Sequence, residues 1–60
     1  MKAYYSVPNS AWIVLNNNTG ELMPFNHRRF WSKKKELIED LLTHKLKLNK
    51  HNQVIVEEKP

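Results

Sequence analysis

The chain has 60 residues, no cysteine, and ten lysine and arginine residues against six acidic ones, which gives a formal net charge of +4. So short a chain buries only about 60% of its unfolded surface. The sequence therefore predicts one domain over residues 1–60, which gains stability from a partner or from self-association. Without cysteine, a disulfide framework and a thiolate metal site are both excluded. We expect a cytoplasmic protein, and no apolar run approaches the ~18 residues of a membrane span.

The first half of the chain predicts short strands separated by turn residues. Residues 3–7 are aromatic and β-branched and are followed by a Pro-Asn-Ser turn cluster. Residues 11–15 are a continuous apolar run that is too short for a helix, which is typical of a central strand buried on both faces. The Asn-rich segment 16–20 ends in the only glycine and favours a hairpin. Residues 21–25 then return antiparallel as a third strand, which Pro24 restricts to an edge.

A single helix is predicted from about residue 27 to residue 44. Asn26 and Ser32 are both good N-caps. The Asn26 cap also places Phe25 and Phe30 at the two positions of a hydrophobic staple. Helical spacing is kept by the apolar residues Phe30, Trp31, Leu37, Ile38, Leu41 and Leu42.

The segment after the helix predicts one more strand. Leu46 and Leu48 lead out of the helix, residues 49–52 form a polar turn, and residues 53–58 are strand-like. The fold class that follows is α+β. We expect a small antiparallel sheet of three to four short strands with one helix packed on one face, in the order ββ(β)αβ.

The predicted strand 11–15 is apolar on both sides, yet one helix can cover only one face of a small sheet. Its aliphatic side consists of Ala11, Ile13 and Leu15. If that side meets the helix, Trp12 joins Tyr4 on the open face, and an exposed aromatic face predicts a partner surface or a dimer seam. The alternative is that the termini and residues 46–48 fold over this face.

The basic aromatic stretch at residues 27–35 is the most informative segment for function. It carries five fixed positive charges and no acidic residue. Cations at a helix start oppose the macrodipole, at a cost of about 0.3–1 kcal/mol each, so local stability did not select them. Free backbone N–H groups beside arginine and lysine bind phosphate, and exposed aromatic rings stack on bases. The alternative is a solvated basic face with Phe30 and Trp31 in the core.

The residues predicted to contact nucleic acid are Arg28, Arg29, Lys33, Lys34, Lys35, Lys45, Lys47 and Lys50. The predicted aromatic contact face consists of Tyr4, Trp12 and Trp31.

Other chemistry has little support. Asp40 and His44 are four residues apart on the predicted helix and His51 follows a short loop, but three ligands of mixed type near several lysines are a weak metal signal. Glu36 and Glu39 have the spacing of ordinary helix ion pairs. The serines lack a nucleophile-elbow pattern, and a single glycine excludes a phosphate-cradling loop or a dinucleotide fingerprint. We therefore predict no catalytic residue, no metal and no cofactor.

Two functions remain open from the sequence. The first is a small basic non-catalytic module that contacts nucleic-acid phosphates through the basic aromatic start of its helix. The second is a compact protein-interaction factor, an inhibitor or host-directed protein of viral or mobile-element type, which docks on an acidic protein surface. A homodimer through the second face of the sheet is compatible with either function.

Overall fold

The computed structural model describes residues 1–57 and has the predicted small α+β fold, with two antiparallel hairpins and one helix in the order ββαββ. The elements are β1 (Lys2–Ser6), β2 (Ala11–Leu15), α1 (Lys34–Thr43), β3 (Leu46–Leu48) and β4 (Val54–Val56). Residue 58, the last residue of the predicted segment 53–58, lies outside the described residues. Within residues 1–57 no helix is long and apolar enough to cross a membrane.

The first hairpin pairs β1 with β2 from Lys2 opposite Leu15 to Ser6 opposite Ala11. The apolar β2 has neighbours on both edges, as predicted for a central strand, but its predicted burial on both faces is wrong, because Ile13 and Leu15 are only partly buried. On its second edge it forms isolated antiparallel bridges with Leu22 and with Trp31. A strand with neighbours on both edges satisfies its backbone groups internally, so it can lie deep in a small domain.

The predicted third strand at residues 21–25 is wrong in its extent. The chain turns back after β2, because the Asn16 N–H donates to the Glu21 carbonyl at 2.9 Å. The bridge between Leu15 and Leu22 consists of this bond and a second one, from the Met23 N–H to the Val14 carbonyl at 2.8 Å. Pro24 has no N–H to donate, so the ladder does not continue through this residue.

The predicted helix start is also wrong. The helix α1 begins at Lys34, and its N-cap is Lys33, which has extended backbone angles (φ −130, ψ 145) and makes no side-chain capping bond. Neither Asn26 nor Ser32 is the N-cap, and Phe25 therefore does not occupy a staple position. An N-cap residue has β-region angles, whereas Asn26 has φ 52.

Residues 25–31 form a different local structure in place of the predicted first helical turns. Asn26 and His27 are the centre of a tight turn with positive φ at both positions (52 and 65). Two backbone hydrogen bonds of 2.9 Å between Phe25 and Arg28 close this turn. Three residues later, Trp31 exchanges two backbone hydrogen bonds (2.7 and 3.1 Å) with Trp12 of β2. Pairing with the sheet thus replaces the helix in this segment.

The second hairpin is made of β3 and β4, with Leu46 opposite Val56 and Leu48 opposite Val54. Residues 46–48 are therefore a strand rather than a lead out of the helix. The predicted polar turn at 49–52 connects the strands, and the Asn52 N–H donates to the Asn49 carbonyl at 3.0 Å.

The two hairpins are joined by backbone contacts at the start of the chain. Lys2 bridges Gln53, the Ala3 N–H donates to the Asn52 carbonyl at 2.7 Å, and the Val54 N–H donates to the Met1 carbonyl at 2.9 Å. The second hairpin is therefore held against the edge of β1.

The core lies between the first hairpin, the segment 25–31 and α1. Its buried side chains are Ala3, Val14, Phe25, Trp31, Leu37 and Leu41, with Trp12 packed against them. The side of β2 that carries Trp12 and Val14 therefore meets the helix, and the opposite side, with the aliphatic set, lies on the outer face with Tyr4. The expectation that Trp12 joins Tyr4 on one open face is wrong, because the register puts them on opposite faces.

Candidate nucleic-acid interface

Asp40 on α1 fixes the segment that precedes the helix. The indole N–H of the fully buried Trp31 donates to Asp40 Oδ2 at 2.6 Å, and Asn26 Nδ2 donates to Asp40 Oδ1 at 3.2 Å. The hydrogen bond from Trp31 is the largest cause that holds the pKa of Asp40 below its ordinary value of 3.8. Partial burial of the carboxyl raises the pKa, whereas Asn26 and the charges of Arg28 and His44 lower it. The ionised Asp40 carboxylate is thus stabilised by hydrogen-bond donors and positive charges of the protein itself.

Asn26 extends this network to the end of the helix. Its Nδ2 also donates to Thr43 Oγ1 at 2.8 Å, and its Oδ1 lies 3.0 Å from His44 Nε2. The Thr43 hydroxyl donates in turn to the Asp40 carbonyl at 2.6 Å. Asn26 thus uses both ends of its side-chain amide to hold the turn against α1. The sequence pattern predicted a capping role for Asn26 and did not indicate this contact with the helix end.

Arg28 is balanced by carboxylates of its own chain. Its guanidinium lies 3.2 Å from Glu36 Oε1 and 3.5 Å from Asp40 Oδ2, and both acidic residues belong to α1. Arg28 was predicted to contact nucleic acid at the start of the helix. It lies instead in the turn before the helix, where its charge stabilises the contact between that turn and α1. Its contact with nucleic acid stays a prediction.

Four other cations of the predicted set remain near the helix start. We define the basic cluster as Arg29, Lys33, Lys34 and Lys35. Within residues 1–57, none of the four forms an ion pair. The lysines occupy the N-cap and the first two positions of α1, while Arg29 lies in the preceding segment. Glu36 is the only acidic residue of the first helical turn, and it already pairs with Arg28.

The remaining predicted cations belong to another part of the molecule. Lys45 follows the far end of α1, Lys47 lies on β3, and Lys50 lies in the turn between β3 and β4. A ten-residue helix is about 15 Å long, so Lys45 is separated by about that length from the three lysines of the basic cluster. Leu46 and Leu48 pack towards the core, and Lys47 between them is exposed on the other side of β3. The structure thus divides the predicted cations into two groups.

Two aromatic rings lie beside the basic cluster. Tyr5 and Trp12 are paired across β1 and β2, with ring centroids 5.8 Å apart in an edge-to-face arrangement of 72°. The Lys34 ammonium lies over the Trp12 ring, 5.3 Å from its centroid, a geometry that gives a cation–π attraction. We call Tyr5, Trp12 and Lys34 the aromatic–cation cluster. Phe30, next to Arg29, is also 45% exposed.

The predicted aromatic contact face therefore changes in membership. Trp31 is fully buried and satisfies its indole N–H within the protein, so it belongs to the core. Tyr4 lies on the outer face of the sheet, where the Lys2 ammonium is 5.4 Å from its ring centroid. Of the three predicted residues only Trp12 lies beside the basic cluster. Tyr5 was missed, because a register shift of one residue moves every side chain of a strand to the other face.

The three weak metal candidates do not converge. Asp40 and His44 both contact Asn26, while His51 lies in the turn at 49–52. In the part of the chain that the structure describes, no group of three His, Cys, Asp or Glu side chains could hold a metal ion.

Comparison of the chain with protein-family models, curated proteins and solved structures found no match.

Proposed function

We propose that the protein is a small, cytoplasmic, non-catalytic module that binds nucleic acid through the surface at the start of α1. The observation that carries this proposal is the combination of the basic cluster with the half-exposed Tyr5 and the partly exposed Trp12. Lysine and arginine attract phosphates, and aromatic rings beside them stack on bases. A surface built only for solubility does not need aromatic rings among its cations.

The local electrostatics favour a negatively charged ligand. Three consecutive lysines occupy the end of α1 where the helix dipole is positive, and each costs about 0.3–1 kcal/mol there. Lys33 also stands where a serine or aspartate cap would stabilise the helix by about 1 kcal/mol. Glu36, the acidic residue nearest to these lysines in the chain, forms its ion pair with Arg28 instead. A bound polyanion offsets the remaining repulsion.

The proposal predicts a moderate salt dependence. Each phosphate neutralised contributes about −0.9 to the slope of log K against log salt for duplex DNA and about −0.7 for a single strand. If all four cations of the basic cluster engage phosphates, the expected slope is about −3 to −4. Binding should therefore be measured from low to physiological salt.

The test is fluorescence anisotropy with labelled oligonucleotides and two matched double variants. The variant Arg29→Gln/Lys35→Gln removes two charges from the basic cluster, and the control Lys47→Gln/Lys50→Gln removes two charges from the second hairpin. We expect the first to weaken binding and to lower the salt slope by about 1–2, and the control to change both less. Absence of binding at low salt, or a larger effect of the control, would contradict the proposal.

The second candidate is a protein-interaction module, which the outer face of the first hairpin favours. Tyr4 is 41% exposed on this face, and Ile13 and Leu15 beside it are only partly buried. An apolar face without a helix over it is typical of a docking surface for another protein or a second copy of the chain. Recovery of one acidic protein in a pull-down after nuclease treatment would favour this candidate, and light scattering would detect a homodimer.

A further inference from the structure

We infer that the ligand of this surface is single-stranded nucleic acid, with an unpaired base stacked on Tyr5 and an adjacent phosphate bound by Lys34. The inference depends on the proposed nucleic-acid binding and names the form of nucleic acid that the site takes. It is carried by the geometry of the aromatic–cation cluster.

Tyr5 is the ring of the cluster that a base can reach. Its side chain is half exposed, and the edge-to-face contact with Trp12 holds the ring in one orientation. A ring that is already ordered loses little conformational entropy when a base stacks on it. Trp12 is less accessible, because it packs against the core on one side and lies under the Lys34 ammonium.

Lys34 is positioned for the phosphate next to such a base. Its cation–π contact with Trp12 keeps the ammonium in the same cluster as Tyr5, although no carboxylate within residues 1–57 pairs with it. Lys33 and Lys35 flank it in the chain and add charge along the path of the backbone. This combination of one stacking ring and neighbouring cations is how sequence-tolerant single-strand binders hold their ligand.

A duplex cannot use both parts of the aromatic–cation cluster, because its bases are not free to stack on Tyr5. Bases in a duplex are stacked between their neighbours, and a base must be unstacked, at a cost of a few kcal/mol, before it can meet a protein ring. A duplex would therefore contact the lysines through its phosphates and leave Tyr5 unused. The two forms of nucleic acid should respond differently when Tyr5 is changed.

The chain provides a matched control in the adjacent residue. Tyr4 is similarly exposed (41%) and also has a lysine ammonium near its ring, but it lies on the opposite face of the sheet. We propose to measure the affinity of Tyr5→Leu, Tyr5→Phe and Tyr4→Leu for a single strand and for the duplex of the same sequence. Thermal unfolding of each variant verifies that the fold is retained.

We expect Tyr5→Leu to weaken single-strand binding by about 5- to 150-fold, which corresponds to a stacking contribution of about 1–3 kcal/mol per base. Tyr5→Phe should keep most of the affinity, Tyr4→Leu should bind like the wild type, and duplex binding should change little in all three. Equal effects of Tyr5→Leu and Tyr4→Leu, or equal losses for single strand and duplex, would overturn the inference. Salt-dependent binding without a role for Tyr5 would leave the proposed function intact, whereas no binding of either form would remove both.

A measurement on the wild-type protein keeps the inference testable if Tyr5→Leu fails to fold. Ultraviolet crosslinking to a single-stranded oligothymidine attaches a stacked base to the ring that it contacts. We expect fragmentation of the adduct to place the link at Tyr5. Adducts at Tyr4 alone would show that the base stacks on the outer face and would refute the assignment.

Discussion

Replacement of Asp40 by alanine tests the network that holds the segment 25–31 on the helix. The Trp31 indole N–H is fully buried, and its acceptor in the structure is Asp40 Oδ2 at 2.6 Å. In Asp40→Ala this donor stays in the core without a partner. The basic cluster would also lose the support that fixes the segment carrying Arg29.

The expected loss follows from the contacts that disappear. A buried donor left without a partner costs about 1–3 kcal/mol. The half-exposed contact of Arg28 at 3.5 Å adds little, since exposed ion pairs contribute about 0–1 kcal/mol. The better helix propensity of alanine returns less than about 0.7 kcal/mol. We expect a net destabilisation of about 2 kcal/mol, which lowers the Tm of a domain of this size by roughly 8–16 °C.

The assay is thermal and urea unfolding of Asp40→Ala with Glu39→Ala as the control. Glu39 is the neighbouring carboxylate on α1, is exposed, and makes no ion pair within residues 1–57. Its replacement should change the free energy of unfolding by less than about 0.5 kcal/mol. A double-mutant cycle with Trp31→Phe, which removes the donor, should show a coupling energy of about 1 kcal/mol or more. Equal effects of the two alanine variants, or a coupling energy near zero, would refute the reasoning.

Further outcomes follow from single positions. Because the Asp40 pKa is held below 3.8, chiefly by Trp31, the ionised carboxylate stabilises the fold above that pH, and the stabilisation is lost as the pH falls through the folded-state pKa. Urea unfolding in acid should show this loss, and Asp40→Asn should reduce the pH dependence of the unfolding free energy. Lys33→Ser should stabilise the protein by about 1 kcal/mol through a new N-cap and weaken oligonucleotide binding, whereas parallel gains in both would contradict the proposed role of the cation. His27→Gly should raise the Tm, since glycine adopts φ 65 without strain, and a lower Tm would show that the His27 side chain matters. Gly20→Ala should cost about 1 kcal/mol through φ 74 alone, because no atom lies within 4 Å of the added methyl group; an unchanged unfolding free energy would contradict this.

The elements that could be predicted from the sequence are those with local determinants. The two strands of the first hairpin follow from apolar and β-branched runs bounded by turn residues, and the predicted helix end at residue 44 lies one residue beyond the observed Thr43. The helix start was missed because residues 27–33 have acceptable helical spacing, while the backbone pairing of Trp31 with Trp12 depends on a strand far away in the sequence. Tertiary pairing overrides local propensity in that segment.

The candidate site was only partly predictable for the same physical reason. The concentration of positive charge at residues 27–35 is visible in the sequence. That Arg28 is neutralised by two carboxylates eight and twelve residues later depends on how the turn at Asn26 packs on α1. That Tyr5 rather than Tyr4 lies beside Trp12 depends on the register between β1 and β2, which pairs Tyr5 with Trp12, and a strand that is apolar on both sides does not specify this register.

The backbone bonds between the first residues and the second hairpin have a consequence for biosynthesis. The carbonyl of Met1 and the N–H of Ala3 find their partners at Val54 and Asn52, which the ribosome adds about fifty residues later. Such distant pairing raises the contact order, and the entropy of closing a loop of about fifty residues opposes it. The edge of β1 therefore stays open until the ribosome has added residues 52–54, and the two hairpins join only after that point.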